Sequence, residues 1–157
     1  MHMPLLKAFS DVREFHRTFD QPAPEKPTAQ PEARAKQRGV WVREECDELD
    51  EATALTCPLA RTIGQADAYL DIIYFGIGGL VELGVEPSAL WDIVHAANMA
   101  KRHSVNGELV AVKNEVGKII KPEGWVAPEP AMQAEVERQV FHASEAEDAG
   151  HSRWGSW

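Results

Sequence analysis

The hydrophobic positions of this chain fall into blocks with helical spacing. Leu5, Phe9, Val12, Phe15 and Phe19 recur at steps of three and four, so an amphipathic helix is expected over residues 4–19. "DQPAPEKPTAQP" follows, and its four prolines between Asp20 and Pro31 rule out a helix interior there. This stretch reads as an extended connector, stiff enough to carry the chain across another element or subunit. A second helix is expected from Glu32 to Leu55, with Val42, Cys46, Leu49 and Thr53 as its apolar line and "TCP" at its end. The third, Leu59 to Leu83, is apolar nearly all round and is therefore expected at the centre. Gly76, Gly78 and Gly79 lower its helix propensity, and their use would be the close approach of a neighbouring helix.

Pro87 suits the first turn of a fourth helix, with Leu90, Val94 and Ala97 as its inner line and Trp91, His95, Asn98 and Arg102 beside it. From Glu108 to Lys121 two short β-prone runs flank "NEVG", which suggests a small hairpin. "KPEGWVAPEP" reads as loop, Met132 to Glu147 as a last, polar helix, and "DAGHSRWGSW" as a frayed tail. The expected architecture is all-α, a bundle of four to five helices with a small C-terminal hairpin or loop. Residues 1–130 would form one domain, with 131–157 a terminal helix and tail.

Composition narrows the function. With 157 residues, 44% of them hydrophobic, the chain is long enough for a real core. A formal net charge of −9 argues against a sequence-independent grip on a nucleic-acid polymer, which needs basic surface. It leaves room for a small anion held through metal ions. The longest apolar stretch is interrupted by Asp71 and holds three glycines, so no membrane span is expected, and "MHMPLLKAF" lacks the pattern of a signal peptide. Cys46 and Cys57 make no disulfide framework and read as reduced thiols of a cytoplasmic protein.

Asp71 is the one charge between Ala68 and Val81. A carboxylate buried there needs a partner. The second helix carries "REECDELDEA", in which Glu45 and Glu48, and Glu44 and Glu48, share a helix face. If the two helices pack antiparallel, Asp71 meets Glu45 and Glu48 in the interior, and Asp67 lies one turn before Asp71. Like charges at that distance require a counter-charge; Arg43 is one candidate, and a hard divalent cation with oxygen ligands is another. A solvated acidic face, or an Asp bonded to a hydroxyl, an Arg or a backbone group, would account for the same residues without a metal.

Taken in order, "VREFHRTF", "PEKP", "EECDE", "LDIIYFGIGGLVELGV", "HAANMAKR" and "GKIIKPEGW" resemble the all-α nucleoside triphosphate pyrophosphohydrolases, the MazG-like group, and are most similar to its dUTPase type. That group also contains phosphoribosyl-ATP pyrophosphohydrolase. The resemblance implies a helical bundle that forms an intertwined homodimer or a dimer of dimers. It implies Mg²⁺ or Mn²⁺ held by acidic residues of two adjacent helices. It also implies attack of water on the α-phosphorus of a nucleoside triphosphate, giving monophosphate and pyrophosphate. The group's motif is E-x-x-E on one helix and E-x-x-D on the next. Glu45, Glu48 and Asp71 match as metal ligands, and Glu44 matches the residue that activates water. Where the motif has its third Glu this chain has Ala68, with Asp67 one place away as a replacement ligand. The alternative is a weakened or inactive nucleotide-binding homologue. Asn98, Lys101, Lys118, Lys121 and Tyr74 are the substrate-binding candidates, with Arg102, Lys113, His16 and His95 behind them. Trp125 is expected to pack the loop.

Overall fold

The computed structural model describes residues 3–152 of the chain and the side chains of residues 5–146. Five helices are formed: α1 (Met3–Thr18), α2 (Glu32–Thr53), α3 (Pro58–Glu82), α4 (Ser88–Met99) and α5 (Glu129–Ser152), with a two-stranded hairpin between α4 and α5. α3 is the spine. α2 runs along one side of it, α1 covers the other side of its C-terminal half, and α4 packs on α5. Phe9 and Val12 of α1 meet Ile77 and Val81 of α3 in the core cluster, which is why the three-and-four spacing of α1 forms a helix here. The proline connector crosses the end of α3, where Thr28 N donates to the Leu83 carbonyl at 2.8 Å. Gly84 follows with φ +63, and a Cβ there would collide with the Lys26 carbonyl, so the crossing depends on glycine.

The packing of α2 on α3 has a regular antiparallel register. Arg34 meets Glu82 and Arg38 donates to the Phe75 carbonyl. Trp41 stacks on Phe75, Gln65 donates to Thr53 Oγ1, and Arg61 donates to the Leu55 carbonyl. Each step forward along α2 is thus a step back along α3. At Gly64 the two backbones come close, since a Cβ there would lie 2.9 Å from Cβ of Ala52.

Several expectations are corrected. The α3-facing line of α2 is Arg38, Trp41, Glu45 and Ala52, while Cys46, expected on the apolar line, is exposed. Within α3, Gly64 and Gly78 are the glycines with a close neighbour, whereas Gly76 and Gly79 face open space. The hairpin forms earlier than expected. β1 (His103–Val105) pairs with β2 (Glu108–Val110), and the turn Asn106-Gly107 has φ of +52 and +86, the pair of positive values a type I′ turn uses. "NEVG" does turn the chain as well, but only an isolated bridge, Lys113 to Ile119, closes it. α5 is longer at both ends than Met132–Glu147. Of the segment expected to fray, residues 148–152 continue the helix and residues 153–157 lie outside the described residues. α3 is central only towards its C-terminal end; Leu59, Ile63, Leu70 and Ile73 before it are exposed.

Candidate active site

Two clusters gather most of the expected residues. The first lies midway along the α2–α3 joint. Between the Trp41–Phe75 and Ala52–Gly64 contacts, the register sets Glu45 opposite Asp71 and Glu48 opposite Ala68. Electrostatics report the same neighbourhood. Burial pushes the Glu45 carboxyl above its ordinary value, and the charges of Glu48, Asp71, Glu44 and Asp67 push it further. None of the groups acting on Glu45 is a cation. Arg43, the expected counter-charge, lies back along α2 beside Gly39.

The buried carboxylate is not the expected one. Asp71 is exposed, because position 71 sits at the rim of the α2-facing side of α3 and the apolar residues flanking it face outwards. Glu45 is the partly buried one, and its Oε2 is shut away from solvent with no hydrogen-bond partner. An orphaned, desolvated carboxylate oxygen among four other acids is the donor chemistry a hard cation takes. Among the described residues no group of three or more His, Cys, Asp or Glu side chains already converges on one point. Ala68 is 2% exposed, so the side chain there points into the joint against α2, whereas Asp67 is exposed.

The second cluster joins α4 to the loop before α5. Lys101 donates to Asn98 Oδ1 at 2.6 Å. Its ammonium lies 5.5 Å from the centroid of Trp125, and that of Lys121 lies 4.0 Å from the same ring. Trp125 is fixed in turn by its indole N–H, which donates to the Ala97 carbonyl at 2.8 Å. Two ammonium groups and a side-chain amide are thus held around one anchored ring, an arrangement suited to phosphate oxygens. Lys118 is exposed nearby in sequence, its backbone N–H donating to Asn114 Oδ1.

Tyr74 stands edge-on to Phe15 of α1 with ring centroids 5.7 Å apart, and burial with the Asp11 charge raises its pKa. His16 is buried, with Nδ1 2.8 Å from the Pro22 carbonyl oxygen. His95 and Arg102 are exposed, and Arg102 turns back to donate to the Met99 carbonyl. A buried network fixes the joint. Glu82, its side chain 1% exposed, accepts from Gln30, from Arg34 through two nitrogens and from Arg38, and both guanidinium groups lie over Trp41. The signal was available in the spacing of Arg34, Arg38, Trp41 and Glu45, which share one helix face.

A helical bundle with facing acids on two antiparallel helices and a separate basic–aromatic cluster defines a class, the all-α pyrophosphohydrolases of the MazG-like superfamily. The sequence model described as phosphoribosyl-ATP pyrophosphohydrolase (PRA-PH) matches residues 12–98, and the chain belongs to that family. The match spans α2 and α3 and takes in all five acids of the joint and Asn98. Members are hydrolases of phosphoric anhydrides, and this chain is one by family, with a nucleotide-like substrate. No curated protein sequence matches it. Among the described residues no helix is long and apolar enough to cross a membrane.

Proposed function

We propose that this chain is a Mg²⁺- or Mn²⁺-dependent pyrophosphohydrolase that converts a nucleoside or deoxynucleoside triphosphate and water to the monophosphate and pyrophosphate. The observation that carries this is the orphaned, buried Oε2 of Glu45 amid Glu44, Glu48, Asp67 and Asp71 with no cation acting on it. Glu45, Glu48 and Asp71 would hold the ion, with Asp67 as the further ligand. When bound, the ion supplies charge neutralisation on the phosphates and a more acidic water. Glu44, exposed on the same stretch of α2, takes the proton of the attacking water. Asn98, Lys101, Lys118 and Lys121 bind phosphate oxygens and orient the chain of phosphates for in-line attack. The working form is a homodimer. Two exposed free thiols, Cys46 and Cys57, suit the reducing environment of the cytoplasm.

The test is pyrophosphate release from a panel of ribo- and deoxyribonucleoside triphosphates and phosphoribosyl-ATP, with Mg²⁺, Mn²⁺ or excess EDTA. Metal-dependent release supports the proposal, and turnover unchanged in EDTA refutes it. Ala68, buried opposite Glu48, favours one second reading, a homologue that binds nucleotide without cleaving it. Nucleotide binding with no release from folded protein would select that reading.

A further inference from the structure

Five cations with no carboxylate partner among the described residues gather in one stretch of the chain. Residues 101–121 hold Lys101, Arg102, Lys113, Lys118 and Lys121 against Glu108 and Glu115, although the whole chain has a net charge of −9. Lysines of the earlier helices behave otherwise: Lys7 pairs with Asp11, and Lys36 with Glu32. A basic stretch left unneutralised in an acidic protein is open to an anion, because no carboxylate has to be displaced first.

Trp125 sets where two of these charges stand. Its indole N–H donates to the Ala97 carbonyl, one of the last carbonyls of α4, which have no partner within the helix. That bond ties the loop to the helix that leads into Lys101. Nearby, His103 Nε2 lies 3.1 Å from the carbonyl oxygen of Ile120, the residue before Lys121. Over the ring so fixed, the Lys121 ammonium stands 4.0 Å from the centroid and that of Lys101 5.5 Å from it. The two nitrogens are therefore within about 10 Å of each other, no more than a Debye length at 0.1 M salt. Their repulsion is not screened away, and the π-electrons of the indole offset part of it. Lys101 spends one N–H on Asn98. Lys121 has no acceptor among the described residues, which leaves its N–H donors to a ligand.

We propose that Trp125 is the positioning residue of a polyphosphate subsite that recognises linked phosphates and not the base. It acts through Lys121 and Lys101, whose ammonium groups it supports while its N–H holds their loop and helix together. Two charges held apart suit an anion whose charge is spread over linked phosphates better than a single orthophosphate. The ring itself is not a platform for the base, because a base stacked on it would have to displace the Lys121 ammonium. This deepens the assignment of Lys101 and Lys121 to phosphate made above and rests on it. It needs neither the metal nor the cleavage step.

The experiment is calorimetry of the full chain with inorganic tripolyphosphate, in EDTA at low ionic strength, with thermal unfolding of each variant alongside. The parent is expected to bind tripolyphosphate and a nucleoside triphosphate equally well. Lys121→Met should weaken tripolyphosphate binding by about tenfold. Trp125→Leu should weaken it by about as much, and Trp125→Phe by about threefold, since Phe keeps a face for the ammonium and loses the N–H. Lys7→Met, on α1, should change nothing. In the Lys121→Met background Trp125→Leu should cost about threefold at most, because part of what it acts through is already gone. An equal loss in both backgrounds means that Trp125 supports the fold and not the lysine, and overturns the proposal. Full affinity in Trp125→Leu beside a weakened Lys121→Met does the same, and if Trp125→Leu does not fold, Trp125→Phe carries the same comparison. A nucleoside triphosphate bound about fivefold or more tighter than tripolyphosphate, with the difference lost in Trp125→Leu, would make the ring a stacking platform and also overturns it. Parent protein that binds no tripolyphosphate, or lysine variants with parental affinity, overturn the phosphate assignment and this proposal with it. No metal and no turnover enter these readouts, so a silent release panel and a failed subsite are separate results.

Discussion

Glu82→Gln should be among the most damaging single changes in the molecule, although it removes one charge and almost no volume. The Glu82 carboxylate, 1% exposed, takes hydrogen bonds from Gln30, Arg34 and Arg38, the Arg34 pair at 2.6–3.1 Å. With Gln in place the site holds two guanidinium groups and no anion. Removing one partner of a buried ion pair costs about 3–5 kcal/mol. Arg34 is 26% exposed and can turn towards water, which favours the lower end, whereas Arg38 is 11% exposed and is held by the Phe75 carbonyl and the face of Trp41. The expected loss is about 3 kcal/mol, or a Tm lower by roughly 6–12 °C. Urea unfolding at fixed protein concentration measures it. Replacing Arg34, Arg38 and Glu82 together by Met should recover most of the loss, because a buried ionic group can be exchanged for apolar packing at little net cost. A loss below about 1 kcal/mol for Glu82→Gln would mean that the network behaves as a surface ion pair, and would refute its role as the anchor of the joint.

Metal-free protein should become less stable as pH rises through the raised pKa of Glu45. Below the unfolded-state value Glu45 is protonated in both states and its contribution is fully present; it is lost as the folded carboxyl ionises among its acidic neighbours. Glu45→Gln should flatten that step in urea titrations with EDTA and leave the neutral-pH protein more stable than the parent; an unchanged pH profile would count against the buried position of Glu45. Mg²⁺ or Mn²⁺ at about one hundred times its Kd should add about 2.7 kcal/mol to the parent. Asp71→Asn should lose that gain, and a full gain in the variant would remove Asp71 from the ligand set. Ala68→Glu should cost about 3 kcal/mol without metal, since it places a sixth carboxylate at a position 2% exposed, and should strengthen metal binding seen by calorimetry. Weaker or unchanged binding would mean that position 68 does not face the ion.

The helices were legible because each buries one face at helical spacing, and the composition of each run fixed their ends to within a few residues. The hairpin was harder. Asn106-Gly107 is a strong turn signal, but it follows the polar end of α4 closely, and the runs further on are the more β-prone. The acidic residues were legible as a set, yet the choice of buried member was inverted. Sequence shows that Asp71 has apolar neighbours and cannot show that those neighbours face away from α2, which leaves Asp71 at a rim and Glu45 in the joint. Arg34 and Arg38 look like the solvated cations of a polar helix half, and nothing local marks Glu82 as their buried partner. Only the register brings all three together.

That register also accounts for how the acidic residues are kept at the joint. Five carboxylates repel one another across the middle of the α2–α3 joint, and the repulsion acts to spread the helices there. On one side lies the closed network of Glu82 with Arg34, Arg38 and Trp41, which ties α2 to the far end of α3. On the other lies the Ala52–Gly64 approach, where the absence of a Cβ lets the backbones close, followed by the Arg61 bonds to the Leu55 carbonyl. Spreading the middle would break one of these or bend a helix, so the flanks hold Glu45 in the joint within the field of its acidic neighbours. Under the proposed function, a cation entering the joint would relieve the repulsion on Glu45, and that relief would add to its affinity.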